Sequence, residues 1–309
     1  MQPEIGMNEA GRRSLSESGG ANAAPGIWSD MLASIRPTEW LLVLFFLYTA
    51  VLATRFELTP ARRFVSYAAP VIVLALGYAA ASSGRKAADI ARDWAPAPLV
   101  LLAYWQMDWF TSSHTLRGLE SSWLTWDRTV LYGWSLRSLI ESQGRVIPSL
   151  LELAYSLLYS IPPLSIAALY LYRQRRRVDE FLFPYLLSTL LVYALLPFFP
   201  SASPRIEFPN MDLPAVDTVF RRFNLWVLSW GDIRTGVFPS GHVATAFSCA
   251  LSMRYALPEK PWLSRFLLIL AVLITTATVY GRYHYAVDGA ASIVLTMIAI
   301  GISRRISRD

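Results

Sequence analysis

The sequence predicts an all-α, polytopic membrane helix bundle of about eight transmembrane spans. Three observations carry this reading. Of the 309 residues, 54% are hydrophobic and 16% charged, where a soluble domain carries about 25% charged residues. Several apolar runs approach the roughly 20 residues that cross a bilayer. The polar connections between them hold arginine in clusters and aromatics in belts, the usual dress of membrane-flanking segments.

Taken in order, Met1 to about Gly26 is rich in Gly, Ser, Ala and charge and has no apolar core, so residues 1–36 are expected to be a disordered tail. The first apolar run begins only near Trp40, too late for a secretory signal. Residues 37–111 hold the N-terminal spans, Trp40–Thr54, Phe64–Ser83 and Pro96–Phe110, with a polar connection at Gly84–Ala95. Residues 112–303 are expected to form the membrane core of the bundle. A long aromatic loop, Ser112–Val146, precedes the fourth span, Ile147–Tyr172, which Pro162 and Pro163 should kink by removing backbone donors. Phe181–Phe199 is the fifth span. A second long loop, Pro200–Pro239, leads to the sixth, Ser240–Leu257, the seventh, Phe266–Tyr280, and the eighth, His284–Ile302. Residues 304–309 form a basic tail.

The net charge is +6, and Lys86 and Lys260 are the only lysines. In a membrane chain this arginine excess serves loop topology and anionic headgroups, with no need of a nucleic-acid partner. The basic short connections are Gly84–Ala95, Arg173–Glu180, Pro258–Arg265 and the C-terminus. With eight spans they share the cytoplasmic side, which puts both long loops on the other side. The lone cysteine, Cys249, excludes an internal disulfide. The missing signal peptide and compact loops suit a bacterial inner membrane.

The chemistry concentrates in two stretches. His284 and Asp288 are four residues apart, so on a helix they share a face. A carboxylate so placed holds the imidazole by one ring N–H and leaves the other nitrogen free to attack. Pro239-Ser240-Gly241-His242 brings a hydroxyl, a small residue and a second imidazole to a helix start, where backbone N–H groups favour an anion. Arg205, after the prolines that end the fifth span, and Arg282, two residues before His284, offer planar forks of donors for phosphate. His114 reads as a loop residue, and Glu152 is expected to face water.

With these residues the chain resembles the type 2 phosphatidic acid phosphatase superfamily, whose motifs are Lys-x6-Arg-Pro, Pro-Ser-Gly-His and Ser-Arg-x5-His-x3-Asp. The second is complete at Pro239–His242. The third keeps His284 and Asp288 but has Ala277-Thr278 in place of Ser-Arg. The first lacks its lysine, since Phe198 stands seven residues before Arg205, and its proline precedes the arginine as Pro204. Tyr280-Gly281-Arg282-Tyr283-His284-Tyr285-Ala286-Val287-Asp288 looks like the inositolphosphorylceramide synthase-like branch. So do Pro204-Arg205 and the stretch from Asp127 to Gly133.

The resemblance implies a six-helix membrane core and a covalent phosphohistidine. His284 would be the nucleophile, Asp288 its orienting group and His242 the general acid. Arg205, Ser240 and Gly241 would hold the phosphate, with Arg282 as a substitute for the missing arginine. No metal or cofactor is needed for such chemistry. The substrate would be a phospholipid or sphingolipid-type molecule, used by an inositolphosphotransferase-like enzyme or, alternatively, hydrolysed by a lipid phosphatase. Outside that class stand a zinc hydrolase using His242, His284 and Asp288, a non-catalytic transporter or scaffold, and a serine hydrolase using Ser240.

Overall fold

The structure is a computed structural model that describes residues 32–111 and 117–306. Most of the expected N-terminal tail, His114 and the last residues of the basic tail lie outside the described residues. The compact unit is Ile35–Asp309.

The unit is helical throughout, with one isolated backbone bridge. The N-terminal region contributes α1 (Pro37–Leu52), α2 (Pro60–Ser83), α3 (Lys86–Trp94) and α4 (Pro96–Met107). The first long loop folds into α5 (Arg117–Arg128), a π-turn and α6 (Leu136–Glu141). Then come α7 (Val146–Leu157), α8 (Ile161–Leu171) and α9 (Val178–Leu195). The second long loop carries α10 (Pro204–Glu207) and α11 (Val219–Gly231), and the chain closes with α12 (Gly241–Ala256), α13 (Pro261–Tyr280) and α14 (Ala286–Ile306).

Among the described residues, five stretches are long and apolar enough to cross a membrane: Pro60–Ser83, Val146–Leu171, Arg175–Phe198, Pro261–Tyr280 and Ala286–Ile306. The other three expected spans coincide with α1, α4 and α12, which have 16, 12 and 16 residues. At about 1.5 Å per residue these fall short of a hydrocarbon core about 30 Å thick. α12 needs no apolar exterior, because it packs inside the bundle and buries Val243, Ala244, Ala246, Cys249, Ala250 and Met253. The fourth span is interrupted near the expected kink: a 3₁₀ turn at Leu158–Ser160 separates α7 from α8. Pro162 and Pro163 follow in the first turn of α8, where missing N–H groups are tolerated.

α9 and α12 form the centre. α9 packs on α12, α14, α1 and α4, and α12 packs on α13 and α14. Ion pairs fasten the N-terminal helices to this core. Asp93 of α3 is buried and accepts from Arg36 Nη1 at 2.6 Å, Arg175 Nε at 2.7 Å and the Tyr170 hydroxyl at 2.5 Å. Beside it, Arg92 pairs with Glu39. Removing one partner of a fully buried pair costs about 3–5 kcal/mol. Arg36 and Arg175 keep 20% and 30% of their side chains exposed, so screening reduces the loss. Asp93→Asn is expected to lower the thermal midpoint of the purified protein in detergent. An unchanged midpoint would mean that the cluster does not hold the N-terminal helices.

Candidate active site

Backbone hydrogen bonds stitch the three chemistry-bearing segments together. Ser201 N–H donates to Thr235 O and Val237 N–H to Ser201 O, so the segment leading to Arg205 runs beside the one leading to Pro239. Arg205 N–H donates to Arg282 O, and Ser240 N–H donates to Asp288 O. α5 clamps the set. Glu120 Oε1 accepts from Ala202 N–H at 2.7 Å, and Asp127 Oδ1 accepts from Ala286 N–H at 2.7 Å.

Asp288 and His284 meet, but not as two residues on one helical face. α14 begins at Ala286, so His284 precedes it. The Asp288 carboxylate turns back over the helix start, as an acidic side chain near an N-terminus readily does. Its Oδ2 accepts from Tyr285 N–H at 2.9 Å and lies 3.2 Å from His284 Nδ1. His284 Nδ1 is also 3.0 Å from Val237 O. A carbonyl oxygen only accepts, so Nδ1 carries the proton and Nε2 presents its lone pair.

That lone pair faces His242 Nδ1 at 3.3 Å. On the far edge of the His242 ring, Nε2 lies 3.1 Å from the Tyr155 hydroxyl and 3.4 Å from that of Tyr159. One set of protons satisfies the whole chain. Tyr155 O–H donates to His242, His242 Nδ1–H to His284, and His284 Nδ1–H to Asp288 and Val237. Tyr155 is fixed by stacking on His242, with ring centres 5.0 Å apart, and on Tyr283 at 4.3 Å.

His242, His284, Gly241 and Arg205 line one small cavity, together with Tyr104 and Asp232. Its free space is about 10 Å³, room for about one water. Gly241 is required there: a Cβ would meet Tyr193 Cε1 at 2.7 Å. Ser240 caps α12 by accepting from Val243 N–H at 3.3 Å and does not line the cavity. Arg205 Nη2 pairs with Asp232 Oδ2 at 2.5 Å, and its buried Nε has no partner among the described residues. Burial raises the Asp232 pKa above the ordinary carboxylate value, with Arg205 pulling the other way.

The chain matches the PAP2 superfamily over residues 123–302, more than half its length. It belongs to the PAP2 superfamily. A PA-phosphatase related-family protein of Dictyostelium discoideum is 32% identical over 131 residues, which are 40% of this chain and 23% of that protein. This chain thus spans less than a quarter of that relative's length. No solved structure matches.

Two side chains stand elsewhere than the sequence leads one to expect. Arg282, expected to bind phosphate, does not line the cavity. It is fully buried with a positive φ of 64°, and its Nη1 pairs with Asp127 Oδ2 at 2.5 Å. Burial pushes the Asp127 carboxyl up to about 6, against the Ala286 amide and the Arg282 guanidinium, which lower it. Glu152, expected to face water, is buried. It accepts from Arg221 Nη1 at 3.0 Å, Asn224 Nδ2 at 2.8 Å and the Tyr283 hydroxyl at 2.7 Å. The network fixes Tyr283, and through stacking Tyr155, behind His242. As for metal chemistry, His242 meets one edge of the His284 ring and Asp288 the opposite edge. The three cannot converge on one ion as they stand.

Sequence reasoning missed Tyr104, Tyr155, Tyr159, Tyr193 and Asp232. One signal was available for the tyrosines. A hydroxyl within an apolar helix needs a polar partner, and four such residues in α4, α7–α9 and their turn hinted at a shared polar site.

Proposed function

We propose that this protein transfers a phosphoryl or phosphoalcohol group from a membrane lipid through a phosphohistidine on His284. The observation that carries the reading is the orientation of His284. Nδ1 is committed to Val237 O and Asp288, and the Nε2 lone pair faces a second imidazole. That pairing is what nucleophilic catalysis with a general acid requires.

In the first half-reaction His284 Nε2 attacks phosphorus. The N–P bond forms and the bond from phosphorus to the leaving alcohol oxygen breaks. His242, as imidazolium, gives its Nδ1 proton to that oxygen while its Nε2–H donates to the Tyr155 hydroxyl oxygen. In the second, an acceptor O–H attacks phosphorus, the N–P bond breaks, and the acceptor's proton returns to His242 Nδ1. Arg205, Gly241 and the N–H groups at the start of α12 hold the phosphoryl oxygens, where charge accumulates. Entry of the phosphate parts the two imidazoles and takes over Arg205 donors now given to Asp232. Arg282 supports the site from behind, by holding Asp127.

The acceptor decides the reaction class. The likeness of Tyr280–Asp288 to the inositolphosphorylceramide synthase-like branch supports a lipid alcohol as acceptor and an inositolphosphotransferase-like activity on the non-cytoplasmic side. The name of the Dictyostelium relative, a PA-phosphatase related-family protein, favours hydrolysis as the second reading. Purified protein given radiolabelled phosphatidylinositol and phosphatidic acid separates them. Label that passes to a second lipid only when an alcohol-bearing lipid is added supports transfer, and water-soluble label released without one supports hydrolysis. Label that never leaves either donor under any condition would overturn both.

Tyr155→Phe removes the hydroxyl opposite the transferred proton and keeps the ring stack. The loss of one hydrogen bond of about 1 kcal/mol predicts roughly a fivefold to tenfold fall in kcat with the fold retained. An unchanged kcat would remove Tyr155 from the proton path.

A further inference from the structure

The geometry points to a binding site for the substrate's hydrocarbon chain inside the protein, walled by α4, a helix outside the segment matched to the family. This inference rests on the lipid-phosphate reading above. A cavity of about 260 Å³ lies between α4, the turn at Pro162 and Pro163, and α12. Val100 and Leu101 of α4 form one side, Tyr159 and Pro162 another, and Thr245 lies one turn below His242. Its wall is dominated by apolar atoms and aromatic rings, the lining expected for a hydrocarbon ligand.

Two observations commit the cavity to that occupant. First, it adjoins the histidine cavity, because Tyr104, Tyr193, Gly241 and His242 line both. A molecule whose phosphate sits at His284 has its nearest exit from polar surroundings here. Second, the rim residues Leu101 and Tyr159 are 39% and 48% exposed. One stands on α4 and the other in the turn between α7 and α8, so the cavity has an exposed rim by which a chain can enter from the bilayer. Tyr104 stands at the junction. Its hydroxyl donates to Asp232 Oδ1 at 3.2 Å and accepts from Ile233 N–H at 3.4 Å, and its ring packs on Tyr193. One side chain of α4 therefore borders the hydrocarbon space and also holds the carboxylate that pairs with Arg205. The N-terminal region thereby sets which lipid reaches the histidines.

The test fills the cavity from its α4 side with Ala97→Phe, and separately from its floor with Thr245→Leu. Each is compared with wild type on long-chain phosphatidic acid and on para-nitrophenyl phosphate, a water-soluble ester without a chain. The ratio of kcat/KM for the lipid to that for the soluble ester is expected to fall by about tenfold in each variant, the equivalent of displacing roughly two buried methylenes. In parallel, a phosphatidic acid with a diazirine in its acyl chain is crosslinked to wild type and to Ala97→Phe. Crosslinks are expected on α4 and on residues 158–163, and to be lost in the variant. Unchanged ratios, or crosslinks confined to other helices, would overturn the inference. Crosslinks in the cavity without turnover of either substrate, or of phosphatidylinositol, by wild type would keep the chain site and reject the reaction. If one variant fails to fold, the other and the wild-type crosslinks still decide.

Discussion

His284→Ala is expected to abolish turnover of lipid phosphate while leaving the helical content and detergent melting of the protein close to wild type. The side chain is 5% exposed, and its three polar contacts, to Val237 O, Asp288 Oδ2 and His242 Nδ1, all belong to the site. Removing it deletes the nitrogen that presents a lone pair to the cavity with an orienting carboxylate behind it. Removal of a nucleophile in comparable covalent mechanisms costs on the order of 10⁶ in kcat. Asp288→Asn should follow with a smaller loss, on the order of 10⁴ where the orienting group fixes a tautomer. Val237 O still selects Nδ1–H after that change, so the loss should fall short of the His284 variant. Initial rates on radiolabelled phosphatidic acid check both. An active His284→Ala protein would remove the nucleophile from the account.

The largest effect on stability is expected from Asp127→Ala. Asp127 and Arg282 are both fully buried, and the carboxylate also accepts from Ala286 N–H at the start of α14. Its loss leaves a guanidinium without a counter-charge and an amide without an acceptor. Breaking such a pair costs about 3–5 kcal/mol, mostly as the penalty of the charge left behind. Arg282→Met alone strands the carboxylate, although a carboxyl already raised to about 6 by burial can take a proton and soften the loss. The double variant Asp127→Leu with Arg282→Met should recover part of the stability lost by either single change. The measurement is a thermal or denaturant series in detergent. Additive losses would show that the two side chains act independently, contrary to the pairing. If Arg282 instead binds phosphate directly, the double variant would recover stability and stay inactive toward a substrate with a short chain.

Much of this site is legible in the sequence because it is built from short, local patterns. Ser240 at a helix start and His242 in the first turn follow from Pro239–His242 alone, whereas the need for glycine at 241 comes from the distant Tyr193 ring. His284 with Asp288 is similarly local, although the contact arises from a carboxylate folded over the helix start instead of a shared helical face. What the sequence hides is the long-range pairing. Nothing in the residues around Arg282 indicates that Asp127, 155 positions earlier, takes its guanidinium. Nothing near Glu152 announces Arg221 and Asn224. Those partners are fixed by how α5, α7 and α11 pack, which hydropathy does not encode. The span count has the same origin: α12 looks like a span by its apolar content, but its length and central position come from tertiary packing.

The most direct test of the account is to trap the covalent intermediate. Protein mixed with ³²P-labelled phosphatidylinositol or phosphatidic acid and quenched in alkali, where phosphohistidine survives, is digested and its labelled peptide sequenced. The account predicts label on the peptide containing His284, absent from His284→Ala and slower to appear in His242→Ala, where the leaving oxygen lacks its proton donor. Label on Ser240 or on His242, or rapid turnover with no protein-bound label at any quench time, would contradict it.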